Sequence, residues 1–289
     1  MKPAPFDYHA PRTIEEAAVL LGSLDNAKVL AGGQSLVPMM NFRYVIVDHL
    51  VDLAKIDDLA GITIANGRMR IGAMTRQREL EFSSEVAQHC PLMSEALKHV
   101  GHRQTRNRGT IGGSLVHADP AAELPTVCAT HAAVIEIASA RGKRTVPFED
   151  FSIAFMTTAV APDEIVTAIE IPLWPQGHGY GFQEFARRHG DFAVTGAAVL
   201  VELDGEQTVQ RASVTLCGVG HTPMRVPEAE AALIGKRPDA ATIRAAASVV
   251  KALTPISDIH ATPAYRRHLA EVLMVRALRD AVARCRKPS

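Results

Sequence analysis

The stretch Ala31-Gly32-Gly33-Gln34-Ser35 decides how this sequence is interpreted, together with a second, Arg106-Asn107-Arg108-Gly109-Thr110-Ile111-Gly112-Gly113-Ser114. Both contain adjacent glycines. Such glycines let the backbone pass close to a ligand, and successive N–H groups can then point at one anionic group. The two stretches therefore predict opposite sides of one dinucleotide-sized site. The alternative is that the glycine pairs only form tight turns.

The common nucleotide-binding motifs do not occur in the sequence. No G-x-G-x-x-G segment joins a strand to a helix, and there is no G-x-x-x-x-G-K-[ST] segment. A nucleotide would therefore be held by a different arrangement. The cysteines lie far apart and lack the spacing of an iron–sulfur or zinc motif; they are Cys90, Cys128, Cys217 and Cys285. The sequence predicts no metal site and no catalytic side chain.

Length and composition indicate an ordinary globular protein of two domains. The chain has 289 residues, and its formal net charge of +0 gives no electrostatic sign of a nucleic-acid partner. No apolar run approaches the roughly 20 residues of a membrane span, so none is expected. The N-terminus lacks the apolar stretch and cleavage site of a secretory signal, which predicts a cytoplasmic location.

Local patterns predict a mixed α+β fold. Thr13-Ile14-Glu15-Glu16 is a capping-box pattern at the start of a helix, and a strand is expected at 28–31. Asn66-Gly67 between two apolar segments predicts a type I′ hairpin. Other predicted helices cover 83–100, 125–134, 226–236, 239–252 and 263–284, and other strands cover 134–137, 164–171, 182–185, 194–203 and 209–219.

Three segments in order, 32–38, 106–125 and 187–193, resemble the FAD-binding medium subunit of molybdenum hydroxylases. That family includes carbon monoxide dehydrogenase, xanthine dehydrogenase and bacterial N-heterocycle hydroxylases. The resemblance implies an FAD-binding domain at 1–175, built of two α/β subdomains (about 1–55 and 56–175) like those of vanillyl-alcohol oxidases and their PCMH-type relatives. A C-terminal domain at 176–289 would hold a three-stranded antiparallel sheet and three helices.

The predicted cofactor site comes partly from the residues and partly from the resemblance. The backbone of the first glycine segment suits a pyrophosphate, because amide dipoles bind it without bringing a side chain into the site. The resemblance adds the second segment for the phosphate and ribityl groups, an acid that accepts a cofactor hydroxyl, two strand residues near the flavin and an aromatic that covers its ring. The full set is Ala31, Gly32, Gly33, Gln34, Ser35, Thr110, Ile111, Gly112, Gly113, Ser114, Glu123, Val166, Gln183 and Phe192.

The resemblance also implies partners. A large subunit would carry a molybdenum–pterin centre, and a small subunit would carry two [2Fe–2S] clusters. This chain would pass their electrons through FAD to a quinone, NAD or dioxygen, within a dimer of heterotrimers. Two alternatives are a stand-alone FAD-dependent oxidoreductase of the vanillyl-alcohol-oxidase type and a flavin-free scaffold protein in which the glycine turns are only structural.

Overall fold

A computed structural model describes residues 1–285. The helices are α1 Ile14–Ser23, α2 Leu36–Asn41, α3 Gln77–Phe82, α4 Ser84–His89, α5 Pro91–Leu97, α6 Arg103–Arg108, α7 Ile111–His117, α8 Glu123–Thr130, α9 Phe148–Phe151, α10 Pro227–Leu233, α11 Ala240–Ser248 and α12 Pro263–Arg284. The strands are β1 Asp7–His9, β2 Ala27–Leu30, β3 His49–Asp52, β4 Ile62–Ala65, β5 Arg68–Gly72, β6 Val134–Ser139, β7 Gly142–Pro147, β8 Ser152–Ala154, β9 Thr157–Thr158, β10 Ile165–Pro172, β11 Gly179–Phe185, β12 Thr195–Leu203, β13 Val209–Cys217 and β14 Met224–Arg225. Short 3₁₀ turns cover Leu53–Lys55, Asp57–Leu59 and Val249–Ala252.

The described chain divides into two packing units. Unit 1 comprises residues 1–80, 102–118 and 133–172, and unit 2 comprises 81–101, 119–132 and 173–285. Segments 81–101 and 119–132 thus pack with the C-terminal part of the chain, although they lie within the range 1–175. Domains predicted as continuous stretches of sequence do not include such an interleaving of segments between the two units.

Unit 1 contains two main sheets. In the first, β3 lies between β1 and β2, and all three strands run parallel. In the second, β10 lies between β5 and β6 in an antiparallel arrangement with the order β4-β5-β10-β6-β7. A core cluster of unit 1 joins the buried face of α1, at Ala17, Ala18 and Leu21, to apolar residues of β3 and the turns after it.

The local signals at the start of unit 1 produce the expected structures. The Thr13 hydroxyl accepts the Glu16 N–H at 3.1 Å. The Glu16 carboxylate reaches back one residue further than in an ideal capping box and accepts the Arg12 N–H at 2.7 Å. Between β4 and β5, Asn66 and Gly67 have φ angles of 51° and 71°, as a type I′ turn requires.

In unit 2, α12 packs against an antiparallel sheet with the order β11-β12-β13-β14. Two glycines of β11 make this packing close: a Cβ on Gly179 would lie 1.8 Å from the Ala281 carbonyl oxygen, and one on Gly181 would lie 2.1 Å from that of Ala277. Only glycine lets a strand approach a helix backbone so closely. The short strand β14 extends the three-stranded sheet that the sequence predicts.

Two helix predictions need correction. The helix expected at 83–100 is two helices, α4 and α5, because Pro91 has no N–H to continue the first one and Cys90 adopts φ −137° and ψ 56°. The helix expected at 125–134 begins earlier, at Glu123, and ends at Thr130. The second glycine stretch, interpreted from sequence as a turn, forms the beginning of α7.

Candidate functional site

The first glycine segment connects β2 to α2 in unit 1. Among the hydrogen bonds of the described residues, none uses the backbone N–H groups of residues 32–35 as donors. Gly33 has φ +71°, a conformation that other residues rarely adopt, and this reverses the chain before α2. A cleft of about 350 Å³ lies at this segment and is lined by Leu30, Ala31, Gly32, Gly33, Gln34, Val37, Pro38, Asp52 and Arg108. The segment therefore offers four consecutive free donors beside a cavity.

The second glycine segment uses its backbone differently. The N–H groups of Ile111 and Gly112 donate to the carbonyls of Thr75 and Ala73, at 3.2 and 2.9 Å. The N–H of Gly113 donates to the Thr110 hydroxyl at 3.0 Å, and that of Ser114 donates to the Thr110 carbonyl. These amides are therefore occupied by the fold. Gly113 and Ser114 are partly exposed within this segment, whereas Thr110 is 2% exposed.

The two glycine segments lie directly against each other. A Cβ on Gly32 would lie 2.4 Å from the Arg108 carbonyl oxygen and 2.7 Å from the Gly109 Cα. A Cβ on Gly113 would lie 2.8 Å from the Thr110 hydroxyl and 3.4 Å from the Ala31 Cβ. The structure thus packs residues 31–32 of the first segment against residues 108–113 of the second. The sequence predicts the two segments on opposite sides of one site, and these contacts make them direct neighbours.

Charged residues beside the cleft were not predicted from the sequence. Arg108 lines the cleft, and its carbonyl accepts a hydrogen bond from the Arg76 guanidinium. Burial and the positive charge of Arg108 lower the pKa of Arg76. On the cleft wall, Asp52 accepts the Tyr8 hydroxyl at 2.6 Å and the Ala54 N–H at 2.9 Å. The signal in the sequence is the basic pattern of 103–108, which resembles any solvated charge run.

Val166 lies in unit 1 on β10, the central strand of the larger sheet. It is 5% exposed, and the ladder with β6 shifts register between Val166 and Ala168. The carbonyl of Thr167, inside this irregularity, accepts the Ala73 N–H at 2.9 Å. Since Ala73 also accepts the Gly112 N–H, this part of β10 is tied to the second glycine segment.

The remaining three predicted residues belong to unit 2. Glu123 begins α8 and is 8% exposed. The Gln183 side chain, on β11, donates to the Asp280 carboxylate of α12 at 2.7 Å. Phe192 is 72% exposed and follows Gly190, whose φ is +84°. Phe192 is therefore not part of the hydrophobic core, and its ring faces away from it.

Residues 1–285 contain no candidate metal site and no candidate membrane-spanning helix. No three or more His, Cys, Asp or Glu side chains there are grouped in a way that could hold a metal ion. No helix in the same range has the length and apolar character needed to cross a membrane.

Comparisons with known proteins identify the family. Residues 4–174 match the model of the FAD binding domain in molybdopterin dehydrogenase, and residues 180–281 match the CO dehydrogenase flavoprotein C-terminal domain. The chain is 40% identical to the 6-hydroxypseudooxynicotine dehydrogenase complex subunit alpha of Paenarthrobacter nicotinovorans, covering 99% of this chain and 97% of that protein. It is 38% identical to the carbon monoxide dehydrogenase medium chain of Afipia carboxidovorans, covering 99% and 100%.

Solved structures agree with the sequence comparisons. A carbon monoxide dehydrogenase of Hydrogenophaga pseudoflava that lacks the Mo-pyranopterin moiety contains a chain with a TM-score of 0.96 and 37% identity, covering 99% of this chain and all (100%) of that chain. Quinoline 2-oxidoreductase of Pseudomonas putida 86 gives a TM-score of 0.94 at 35% identity, covering 98% and 99%. This chain therefore belongs to the family of FAD-binding medium subunits of molybdenum hydroxylases and is an oxidoreductase flavoprotein subunit.

Proposed function

We propose that the first glycine segment, 31–35, holds the diphosphate of FAD. The observation that carries this proposal is the run of four N–H groups at residues 32–35, which have no acceptor in the described chain and of which residues 32–34 line the cleft. Fixed amide dipoles bind an anion without a side chain between them and the ligand. Arg108, on the cleft wall, adds the positive charge that a diphosphate needs. The residues present therefore fit the cofactor.

The second segment has a different role in this proposal. Thr110 and Ser114 contribute hydroxyls toward the phosphate and ribityl groups, and Gly113 leaves room for them. Ile111 and Gly112 fix the segment through their bonds to residues 73–75. Support comes from the close packing of Gly32 on the Arg108 backbone, which makes the two segments one surface. Val166, on β10, contributes mainly backbone contacts to the flavin.

The three residues of unit 2 have assigned roles in the same proposal. Glu123 accepts a hydroxyl hydrogen bond from the cofactor, Gln183 lies near the ring or ribityl chain, and Phe192 covers one face of the isoalloxazine. The exposure of Phe192 supports its role, because a ring left out of the core is available for a ligand. Gln183 already donates one N–H to Asp280, so its amide oxygen and its second N–H are left to contact a cofactor.

We infer that the chain transfers electrons as one subunit of a larger hydroxylase. FAD, when bound, accepts electrons singly or in pairs and passes them on. In this proposal they come from [2Fe–2S] clusters on a small subunit, after substrate oxidation at a molybdenum–pterin centre on a large subunit. A quinone, NAD or dioxygen receives them. The assembly is a cytoplasmic dimer of heterotrimers, and this chain contributes an FAD-binding domain at 1–175 and a C-terminal domain at 176–289.

The electron-transfer role can be tested on the complex purified with its partner subunits. FAD is removed, and the deflavo complex is mixed with substrate while absorbance follows the iron–sulfur chromophore and the added acceptor. We expect the iron–sulfur absorbance to bleach while the acceptor is no longer reduced. Adding FAD back should restore reduction of the acceptor. Acceptor reduction that continues at the original rate without FAD would show that electrons leave by another route.

The cofactor site can be tested separately with two arginines of α6. Arg108→Met removes the charge at the cleft, whereas Arg103→Met removes an exposed charge at the other end of the same helix, outside the cleft lining. We expect Arg108→Met to raise the FAD dissociation constant about tenfold, as for loss of a charge-assisted contact. Arg103→Met should leave it unchanged. Equal effects of the two variants would indicate only a general change in net charge.

A further inference from the structure

Arg266 is a buried charge at the beginning of α12 in unit 2. Its side chain is 3% exposed. Nη1 donates to the carbonyls of Val194 and Gly218, the latter at 2.7 Å, and Nη2 donates to the Asp258 carboxylate at 2.5 Å. A buried guanidinium is costly unless its donors are used, and here three separate chain segments supply acceptors to Nη1 and Nη2, while Nε has no partner among the described residues. Arg266 therefore connects the segments that contain Val194, Gly218 and Asp258.

Asp258 holds the guanidinium from the side of the helix start. Its other carboxylate oxygen accepts the N–H groups of His260 and Ala261 at 2.9 and 3.0 Å. Burial alone would raise its pKa, but the hydrogen bonds from the His260 N–H and Arg266 outweigh burial and keep that pKa below its usual value. The carboxylate is thus charged at neutral pH and fixes the direction of the guanidinium.

Val194 connects Arg266 to the third family segment, 187–193. Phe192 lies two residues before Val194 in the chain. The Val194 N–H donates to the Phe185 carbonyl at 2.7 Å, and its own carbonyl accepts both Arg266 and the Thr195 hydroxyl. The end of the segment that carries the exposed Phe192 ring is therefore fixed on both sides of the Val194 peptide group.

Gly218 connects Arg266 to the acidic end of the second family segment. Gly218 has φ +68°, and a Cβ there would lie 2.4 Å from the Val194 carbonyl oxygen. Its N–H donates to the Pro120 carbonyl at 2.8 Å. Pro120 precedes Glu123 by three residues. The same short region of backbone therefore fixes two of the three unit-2 segments that carry proposed flavin contacts, those of Glu123 and Phe192.

We propose that Arg266 is a positioning residue for flavin binding, which sets segments 119–123 and 187–193 through the carbonyls of Gly218 and Val194. This rests on the proposed function, since the roles of Glu123 and Phe192 are proposed there. Arg266 need not touch the cofactor. Without its guanidinium, the carbonyls of Val194 and Gly218 and the Asp258 carboxylate each lose one donor, and both segments lose their common anchor.

The test compares Arg266→Met and Arg266→Lys with a control in the same helix, using the full chain. The control is Leu273→Ala, which creates a cavity in the unit-2 core without changing any partner of Arg266. FAD affinity is measured by fluorescence titration, visible circular dichroism reports the surroundings of the bound ring, and thermal unfolding ranks stability. We expect Arg266→Met to raise the FAD dissociation constant at least about tenfold and to change the dichroism, while Leu273→Ala stays within about twofold of wild type.

Each outcome decides the proposal. If Arg266→Met binds FAD as the control does, with the same dichroism, Arg266 is only structural and the proposal fails. If Arg266→Met does not fold, Arg266→Lys carries the test. One ammonium keeps the charge but cannot reproduce the planar fork toward Val194, Gly218 and Asp258, so weaker FAD binding is expected. Wild-type affinity in this variant would refute the role. A wild-type chain that binds no FAD, either alone or with its partner subunits, would overturn the proposed function itself.

Discussion

Replacing Gly32 by alanine perturbs the contact that joins the two glycine segments. The new Cβ would lie 2.4 Å from the Arg108 carbonyl oxygen and 2.7 Å from the Gly109 Cα. To reach a separation of 3.0 Å, the shortest that real Cβ atoms show, the two segments must move apart by about 0.6 Å. Both neighbours are backbone, so no side-chain rotation relieves the overlap. We expect a loss of about 1–3 kcal/mol in the free energy of unfolding, as for other overpacking substitutions.

Gly22→Ala is the matched control because it adds the same methyl group in the same unit. Gly22 lies in α1, and a Cβ there meets no atom within 4 Å. Alanine allows the unfolded chain fewer conformations than glycine does, and it fits a helix without strain. This variant should therefore gain about 0.5–1 kcal/mol in the free energy of unfolding. The two substitutions therefore have opposite signs.

Urea unfolding of the FAD-free chain, followed by far-ultraviolet circular dichroism, measures both variants. The transition midpoint should fall for Gly32→Ala and rise for Gly22→Ala with an unchanged slope, since neither substitution alters the surface exposed on unfolding. FAD titration should show weaker binding for Gly32→Ala alone. A Gly32→Ala midpoint equal to or above that of wild type would refute the close packing of the two segments.

Two further predictions concern ionisable groups. The Arg144 guanidinium donates to Glu164 at 2.8 Å and lowers the pKa of that carboxylate below its ordinary value of 4.5. The stability that results is present above pH 4.5 and is lost as the pH falls through the lowered pKa. Glu164→Gln should therefore flatten the acid side of a plot of melting temperature against pH, and an unchanged acid side would contradict this. Burial raises the pKa of the Cys90 thiol to about 12 and raises the pKa values of Cys128 and Cys217 as well, whereas Cys285 is only partly buried. Ellman's reagent should therefore label at most Cys285 in the native chain and all four thiols in denaturant, and rapid native labelling of Cys90 would show that unit 2 opens readily.

The sequence predicts structure well where the signal is local. The Thr13 cap and the Asn66-Gly67 hairpin depend on neighbouring residues, so their patterns survive in the fold. The family resemblance was equally readable, because ordered segments identify a fold even when each one is weak alone. In contrast, the sequence predicts one helix at 83–100 despite Pro91, because the apolar pattern continues across the break between α4 and α5.

The glycines show why a candidate site could be proposed from the sequence but not described from it. A glycine pair indicates a close approach without saying what approaches. Gly33 is required by its positive φ, Gly32 by the Arg108 backbone and Gly112 by Ala73, whose Cβ would be 2.6 Å from a Cβ on Gly112. Part of the glycine signal is therefore explained by packing within the protein. Packing does not explain the backbone N–H groups of residues 32–35, which have no acceptor among the described residues.

The contacts of Arg266 could not be predicted from the sequence at all. Two of its three partners are backbone carbonyls, which every residue possesses. The residue types at 194 and 218 therefore do not indicate the contact. On α12 its residue type does not distinguish it from the other arginines of the same helix. Only Asp258, eight positions earlier, offers a side-chain partner, and opposite charges at that spacing are common by chance. Interactions between a buried side chain and main-chain acceptors leave no pattern in one sequence, so residues that position a site through the backbone are found in the structure alone.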